Sequence, residues 1–236
     1  MAKKAAGDSR SRLGGRRQAT VRLKTAKQRS ASSQRWLERQ LNDPFVAAAK
    51  HEGYRSRAAF KISDIDDRYR FLKPGARVVD LGAAPGGWSQ IAAQRVRSVA
   101  GKGQVVAIDL LDMDAVAGVD FILLDFMDAA APDRLKALLR DGQADVVLSD
   151  MATQGTGHAR TDHLRIIGLA EAAAEFALSV LAPGGTFVCK LFQGGTERAL
   201  LEGLKRAFGG VKHVKPPASR AESAEVYLVA SGFRGG

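Results

Sequence analysis

Four apolar runs in this chain close on an aspartate, at Asp80, Asp109, Asp125 and Asp150, and segments of helical character separate them. Strand and helix in alternation lead to a parallel sheet, because each crossover must carry the chain back to the edge where the previous strand began. The runs at 104–109 and 144–150 are apolar almost throughout, which suits strands covered on both faces. A fifth run follows at 186–192, and shorter ones at 211–214 and 225–230 bring the total to seven. Helices are expected at 88–97, 132–140, 162–181 and 196–208, with Ala182-Pro-Gly-Gly closing the long one. Ahead of the first strand, Ser33 is a candidate N-cap of a short helix that Asp43-Pro44 breaks. A helical lead-in over 45–70 and a Leu72-Lys-Pro-Gly turn come next, and Trp36 reads as a packing residue rather than a base-stacking one. The expected fold is α/β, with a mostly parallel seven-stranded sheet and helices on both faces.

The turn after the first strand is the most specific local motif: Asp80-Leu-Gly-Ala-Ala-Pro-Gly-Gly-Trp-Ser. Glycines there let a ligand lie against the backbone at a helix N-terminus. Ligands in such folds bind beyond the carboxyl ends of the strands. The stretch lacks the Gly-x-Gly-x-x-Gly dinucleotide fingerprint. It resembles the S-adenosylmethionine (SAM) loop of class I methyltransferases, and on that reading Asp80 ends its strand facing the crevice. Asp109 would then accept from the ribose hydroxyls and Asp125 from the adenine amino group. Lys190 stands out for another reason. It sits inside Phe187-Val-Cys-Lys-Leu-Phe, and lysine is rarely placed in such a run unless it is paired or functional.

Charge divides the chain unevenly. Residues 1–40 hold twelve Lys or Arg against Asp8 and Glu38, so nearly all of the net charge of +11 sits there. Residues 1–28 are poor in apolar side chains and are expected to form a disordered basic arm suited to phosphates. Residues 29–236 are expected to form one catalytic domain. A membrane partner is not expected, because no apolar run approaches the ~20 residues of a bilayer span. The start of the chain has no apolar signal region, and Cys189 is its single cysteine, excluding an internal disulfide framework. These features predict a cytoplasmic protein.

Several motifs together extend the resemblance. They are Ser30-Ala-Ser-Ser-Gln-Arg-Trp, Tyr54-Arg-Ser-Arg-Ala-Ala-Phe-Lys, the turn at Asp80, and Asp109-Leu-Leu-Asp-Met. Leu148-Ser-Asp-Met-Ala, Leu181-Ala-Pro-Gly-Gly, Lys190-Leu-Phe-Gln-Gly and Glu225-Val-Tyr-Leu-Val-Ala follow. From about Lys27 to Ala230 the chain resembles the FtsJ-type 2′-O-methyltransferases of large-subunit ribosomal RNA. That resemblance implies a Lys-Asp-Lys-Glu catalytic tetrad at Lys61, Asp150, Lys190 and Glu225. It implies SAM contacts at Gly86, Trp88, Asp109, Asp125 and Asp150. The implied substrate is a uridine ribose in the A loop of 23S ribosomal RNA, within the large ribosomal subunit and in support of its late maturation, with the enzyme a monomer. Thr153-Gln-Gly-Thr-Gly departs from the family, which often has proline after Ser-Asp-Met-Ala.

The tetrad suits the chemistry. A ribose 2′-hydroxyl is a poor nucleophile and must lose its proton as it attacks a sulfonium methyl, so Lys190 is the candidate general base. Burial and a positive Lys61 favour the neutral amine; Asp150 and Glu225 oppose that while orienting the two amines. No metal is required, because SAM carries its own leaving group. Three alternatives stand beside this reading: another RNA such as transfer RNA, a non-catalytic RNA-binding module, and a nicotinamide oxidoreductase. Pyrimidine C5 methylation needs a cysteine nucleophile, and strand alternation turns Cys189 away from the face of Lys190.

Overall fold

A computed structural model of the chain describes residues 31–152, 159–193 and 198–235. The basic arm over 1–28 and the Thr153 departure lie outside the described residues. Three helices come first: α1 (Ala31–Leu41), α2 (Pro44–Glu52) and α3 (Ala58–Tyr69). The alternating part then runs β1 (Arg77–Leu81), α4 (Gly87–Val96), β2 (Gln104–Asp109), β3 (Asp120–Leu123), α5 (Ala131–Leu138) and β4 (Ala144–Ser149). It continues through α6 (Ala159–Val180), β5 (Leu181–Phe192), α7 (Arg198–Ala207), β6 (Phe208–Val214) and β7 (Glu225–Phe233). The sheet order is β3-β2-β1-β4-β5-β7-β6, and β7 is the one strand antiparallel to its neighbours. The α/β fold with a seven-stranded, mostly parallel sheet is as the alternation of elements predicts.

Several local expectations need correction. α1 starts at Ala31, so Ser33 lies inside it and is not its N-cap. The lead-in over 45–70 is two helices, because Gly53 takes a left-handed φ of 75° and ends the first in a turn. Asp43-Pro44 does break the chain, and it also starts α2: Pro44 takes the first turn and the Asp43 carboxylate accepts from Phe45 N–H at 3.0 Å. Only β2 of the four early strands ends on its aspartate. β1 runs one residue past Asp80, β3 stops two residues before Asp125, and β4 stops one before Asp150. At the start of β5 the partner of β4 jumps from Leu181 to Thr186, so residues 182–185 form an irregularity in the ladder.

Strand parity sorts the core into two layers. Val79, Leu81, Val106, Val147, Phe187, Cys189, Leu191, Val226 and Leu228 pack on one face, against α5, α6 and α7. Val78, Val105, Val146, Leu148, Val188, Tyr227 and Val229 pack on the other, against α3 and α4. Arg95 of α4 secures α3 on that second face: it pairs with Asp66 and Asp67 and donates to the Ser63 hydroxyl at 2.7 Å. No helix among the described residues is long and apolar enough to cross a membrane.

Candidate active site

The second face continues past the strand ends into a polar cluster. Lys190 on β5 and Tyr227 on β7 are register partners, as are Phe192 and Glu225. Because β7 runs opposite to the other strands, its first residue lies where β4 and β5 finish. Asp150 follows β4 directly and is tied to β1 by its N–H, which donates to Leu81 O at 3.1 Å. Lys61 reaches the same place from the first turn of α3. Chain positions from 61 to 227 thus meet beyond the carboxyl ends of the central strands β4 and β5.

These side chains form a continuous string of hydrogen bonds. Lys190 Nζ lies 3.0 Å from Asp150 Oδ1 and donates to Asp150 O at 2.6 Å. The Tyr227 hydroxyl donates to the same Oδ1 at 3.1 Å and accepts from Lys61 Nζ at 3.2 Å. Lys61 Nζ lies 2.7 Å from Glu225 Oε1, and the Ser219 hydroxyl donates to that oxygen at 3.1 Å. Lys61 and Lys190 are only 7% and 8% exposed, and Tyr227 is fully buried. Two ammonium groups against two carboxylates leave the cluster neutral, which makes their burial tolerable. Tyr227 is held as a phenol: burial first, then the charges of Asp150 and Glu225, push its hydroxyl well above the usual tyrosine range.

The cofactor turn lies beside this string. Gly82 and Ala83 donate to Ile108 O, and Gly86 donates to Ala83 O, so the loop is bound to β2 and folded on itself. Gly82 has φ 77°, and a Cβ there would come within 2.8 Å of Met151 Cα. Gly86 has φ 104°, with a Cβ position 2.9 Å from Arg55 Cδ. No side chain caps α4 at Gly86, which leaves the N–H groups of Gly87 and Trp88 for a ligand, while the Ser89 N–H is turned to Asp80. Asp109 accepts from Ala84 N–H through Oδ2 and from Leu111 N–H through Oδ1, both at 2.8 Å. Each oxygen keeps a lone pair for a hydroxyl donor. Asp125 is exposed, and its Oδ1 accepts from Met127 N–H at 2.9 Å. A glycine cradle, a helix N-terminus and a half-buried carboxylate are a donor set that fits SAM.

Two residues expected in the crevice sit elsewhere. Asp80 is fully buried rather than crevice-facing; its Oδ2 accepts from the Ser89 hydroxyl at 2.6 Å, and its carboxyl is pushed up to about 7, mainly by burial. The Trp88 indole turns into the core, donating to Ala58 O at 3.0 Å and lying 5.5 Å from the Tyr227 ring. Trp88 can meet a ligand at the turn through its backbone, not its ring. Cys189 faces the opposite core layer from Lys190, and burial pushes its thiol up to about 12.

Three more residues belong to the site, two of them, Arg55 and Tyr227, inside the motifs at Tyr54 and Glu225. Tyr227 joins the two halves of the string, and its spacing of two from Glu225 on a strand is a signal for it. Arg55 braces the cofactor turn, donating to Pro85 O at 3.3 Å and to Asp114 O and Ala115 O in the facing loop. Ser219 lies in an irregular loop, and no local pattern marks it.

The match to the FtsJ-like methyltransferase family model spans residues 54–233. Relatives called ribosomal RNA large subunit methyltransferase E are similar along almost the whole chain. The one from Bradyrhizobium diazoefficiens is 64% identical, covering 92% of this chain and 94% of its own. The one from Azorhizobium caulinodans is 63% identical, covering 91% and 89%. Among solved structures, a ribosomal RNA methyltransferase of Plasmodium falciparum superposes with a TM-score of 0.68 at 32% identity, covering 78% of this chain and all of that one.

Proposed function

The chain belongs to the FtsJ-like methyltransferase family, and from that premise we propose that it methylates a uridine ribose 2′-hydroxyl in 23S ribosomal RNA. The proposed target lies in the A loop, and the proposed substrate is the large ribosomal subunit late in its maturation. A ribosomal RNA methyltransferase is the reading favoured by relatives of that name at about 60% identity over most of the chain. The observation that carries the finer reading is the string from Lys190 through Asp150, Tyr227 and Lys61 to Glu225, set beside the glycine turn.

SAM supplies the electrophilic methyl group on its sulfonium. In our assignment Gly86, Asp109, Asp125, Asp150 and the Trp88 backbone hold it. Lys190, an ammonium group in the resting cluster, becomes a base once it has released its own proton to solvent, and Nζ then takes the proton from the 2′-oxygen. Asp150 orients that amine through its carboxylate and its carbonyl. Lys61 and Glu225 pair with each other, and Tyr227 links them to Asp150, so the base is held on a framework that does not itself react. Positioning does the rest, because a fixed hydroxyl facing a fixed methyl converts a bimolecular encounter into an intramolecular one. Cys189 is on the wrong face for covalent C5 chemistry.

The test rests on alkali. A methylated 2′-oxygen cannot attack its neighbouring phosphate, so the linkage resists base. RNA labelled with methyl-tritiated SAM and digested in alkali should carry its label in dinucleotides. Label confined to mononucleotides would mean base methylation and would refute the assignment.

A further inference from the structure

We propose that Ser219 is a positioning residue for methyl transfer, its hydroxyl fixing the Glu225 carboxylate onto Lys61. The inference rests on the assignment of Lys61 and Glu225 to the catalytic machinery. Glu225 Oε1 takes two donors, Lys61 Nζ at 2.7 Å and Ser219 Oγ at 3.1 Å. Both partners of the ion pair are long side chains, and holding such a pair in one geometry costs rotamer entropy. A second donor on the same oxygen narrows the carboxylate's freedom. Tyr227 then receives Lys61 in a defined place, and Asp150 receives Tyr227.

The loop over residues 215–224 is built in a way that fixes this hydroxyl. Ser219 is 8% exposed and Ala218 before it is fully buried. Ala218 N–H donates to Asp64 of α3 at 3.2 Å, and Ala218 O accepts from Arg57 at 2.7 Å. Ser219 N–H donates to Pro216 O at 2.8 Å. On the other side Arg220 donates to Asp43 at 2.9 and 3.1 Å, and Arg57 pairs with the same Asp43 oxygen at 3.0 Å. Lys215 holds the far limb through Ala221 O and Ser223 O. None of these bonds uses the Ser219 hydroxyl. The loop keeps its shape without that group, and the one bond the hydroxyl donates goes to Glu225.

A double-mutant cycle on methyl transfer to large-subunit ribosomal RNA tests this. Ser219→Ala should lower kcat about ten- to a hundredfold, the size expected for a lost hydrogen bond to a charged group. KM for SAM, KM for RNA and the thermal midpoint should stay close to the parent values. Ser219→Thr, which keeps the hydroxyl, should recover most of the rate. In a Glu225→Gln background, Ser219→Ala should add almost nothing, because the two act as one unit. Parent-like kcat for Ser219→Ala alongside an impaired Glu225→Gln would overturn the proposal and leave the tetrad standing. An additive loss in the Glu225→Gln background, or a loss confined to KM for RNA, would overturn it too, assigning the loop to structure or to RNA contact. Parent-like activity of Glu225→Gln would bring down the tetrad assignment and the proposal with it.

Discussion

Asp80 and Lys190 are both ionisable groups on buried strands, and their partners give them opposite uses. Lys190 has a carboxylate and a carbonyl within 3.0 Å. Asp80 has only Ser89, through its hydroxyl and its N–H, and its Oδ1 has no hydrogen-bond partner. Lys190→Ala should abolish methyl transfer while SAM affinity, measured by calorimetry, stays within a few-fold; near-parent turnover would remove Lys190 from the role of base. The Asp80 prediction concerns stability. Its folded carboxyl binds a proton up to about pH 7, whereas in the unfolded chain it lets go near the ordinary aspartate value. The folded state therefore holds the extra proton between those values, and stability falls as pH rises through them, with an upper bound of about 4 kcal/mol. Asp80→Asn still accepts from Ser89 and has no proton to lose. Urea midpoints of the variant should drop less between pH 5 and pH 8 than those of the parent.

At the scale of elements, the reversed β7 decides the site, and it is also where the sequence is least explicit. Alternation of apolar runs and helices makes the parallel strands readable, because each strand must bury both faces. Nothing in residues 225–233 announces an antiparallel strand inserted between β5 and β6; only the resemblance to a known family puts Glu225 beside Lys190. The two helices inside 45–70 are hard to separate because an isolated glycine in a helical pattern does not by itself mark a break, and the left-handed φ of Gly53 that ends the first helix is not written in the sequence. Asp80 departs from its expected place because β1 extends through Leu81, which turns the carboxylate toward Ser89 of α4. Lys190 is legible because an ammonium group in an apolar run must find a counter-charge or be lost to selection against its burial. The turn after β1 gives an element-level test. Gly82→Ala would combine a left-handed φ with a Cβ pressed on Met151 backbone, one residue past Asp150. It should destabilise the fold by about 1–3 kcal/mol and weaken SAM binding, read by chemical unfolding and calorimetry. Gly86→Ala meets the side chains of Arg55 and Val116 rather than backbone, and should disturb the fold less.

For the whole molecule, charge is the larger organising feature. Outside residues 1–40 acidic and basic residues nearly balance, with 23 against 24. We propose that the arm over 1–28 contributes a long-range, sequence-blind attraction to RNA while the domain supplies position and chemistry. Deleting residues 1–28 should weaken RNA binding and flatten its dependence on salt, since each lost phosphate contact removes a released counterion. SAM affinity should be unchanged. A salt slope equal to that of the full chain would deny the arm any part in binding.

The position of β7 has a consequence in time. It is the last of the seven strands to be synthesised, and it closes a gap between β5 and β6 that no earlier strand fills. Until it inserts, β5 has one unpaired edge, Lys61 lacks both Glu225 and Tyr227, and Asp150 holds Lys190 alone. The glycine turn and Asp109, by contrast, are complete once β2 is in place. A nascent chain therefore holds the residues of its glycine turn and Asp109 more than a hundred residues before it holds those of a finished catalytic string. By order of synthesis alone, the catalytic string is the last part of the proposed site to be completed.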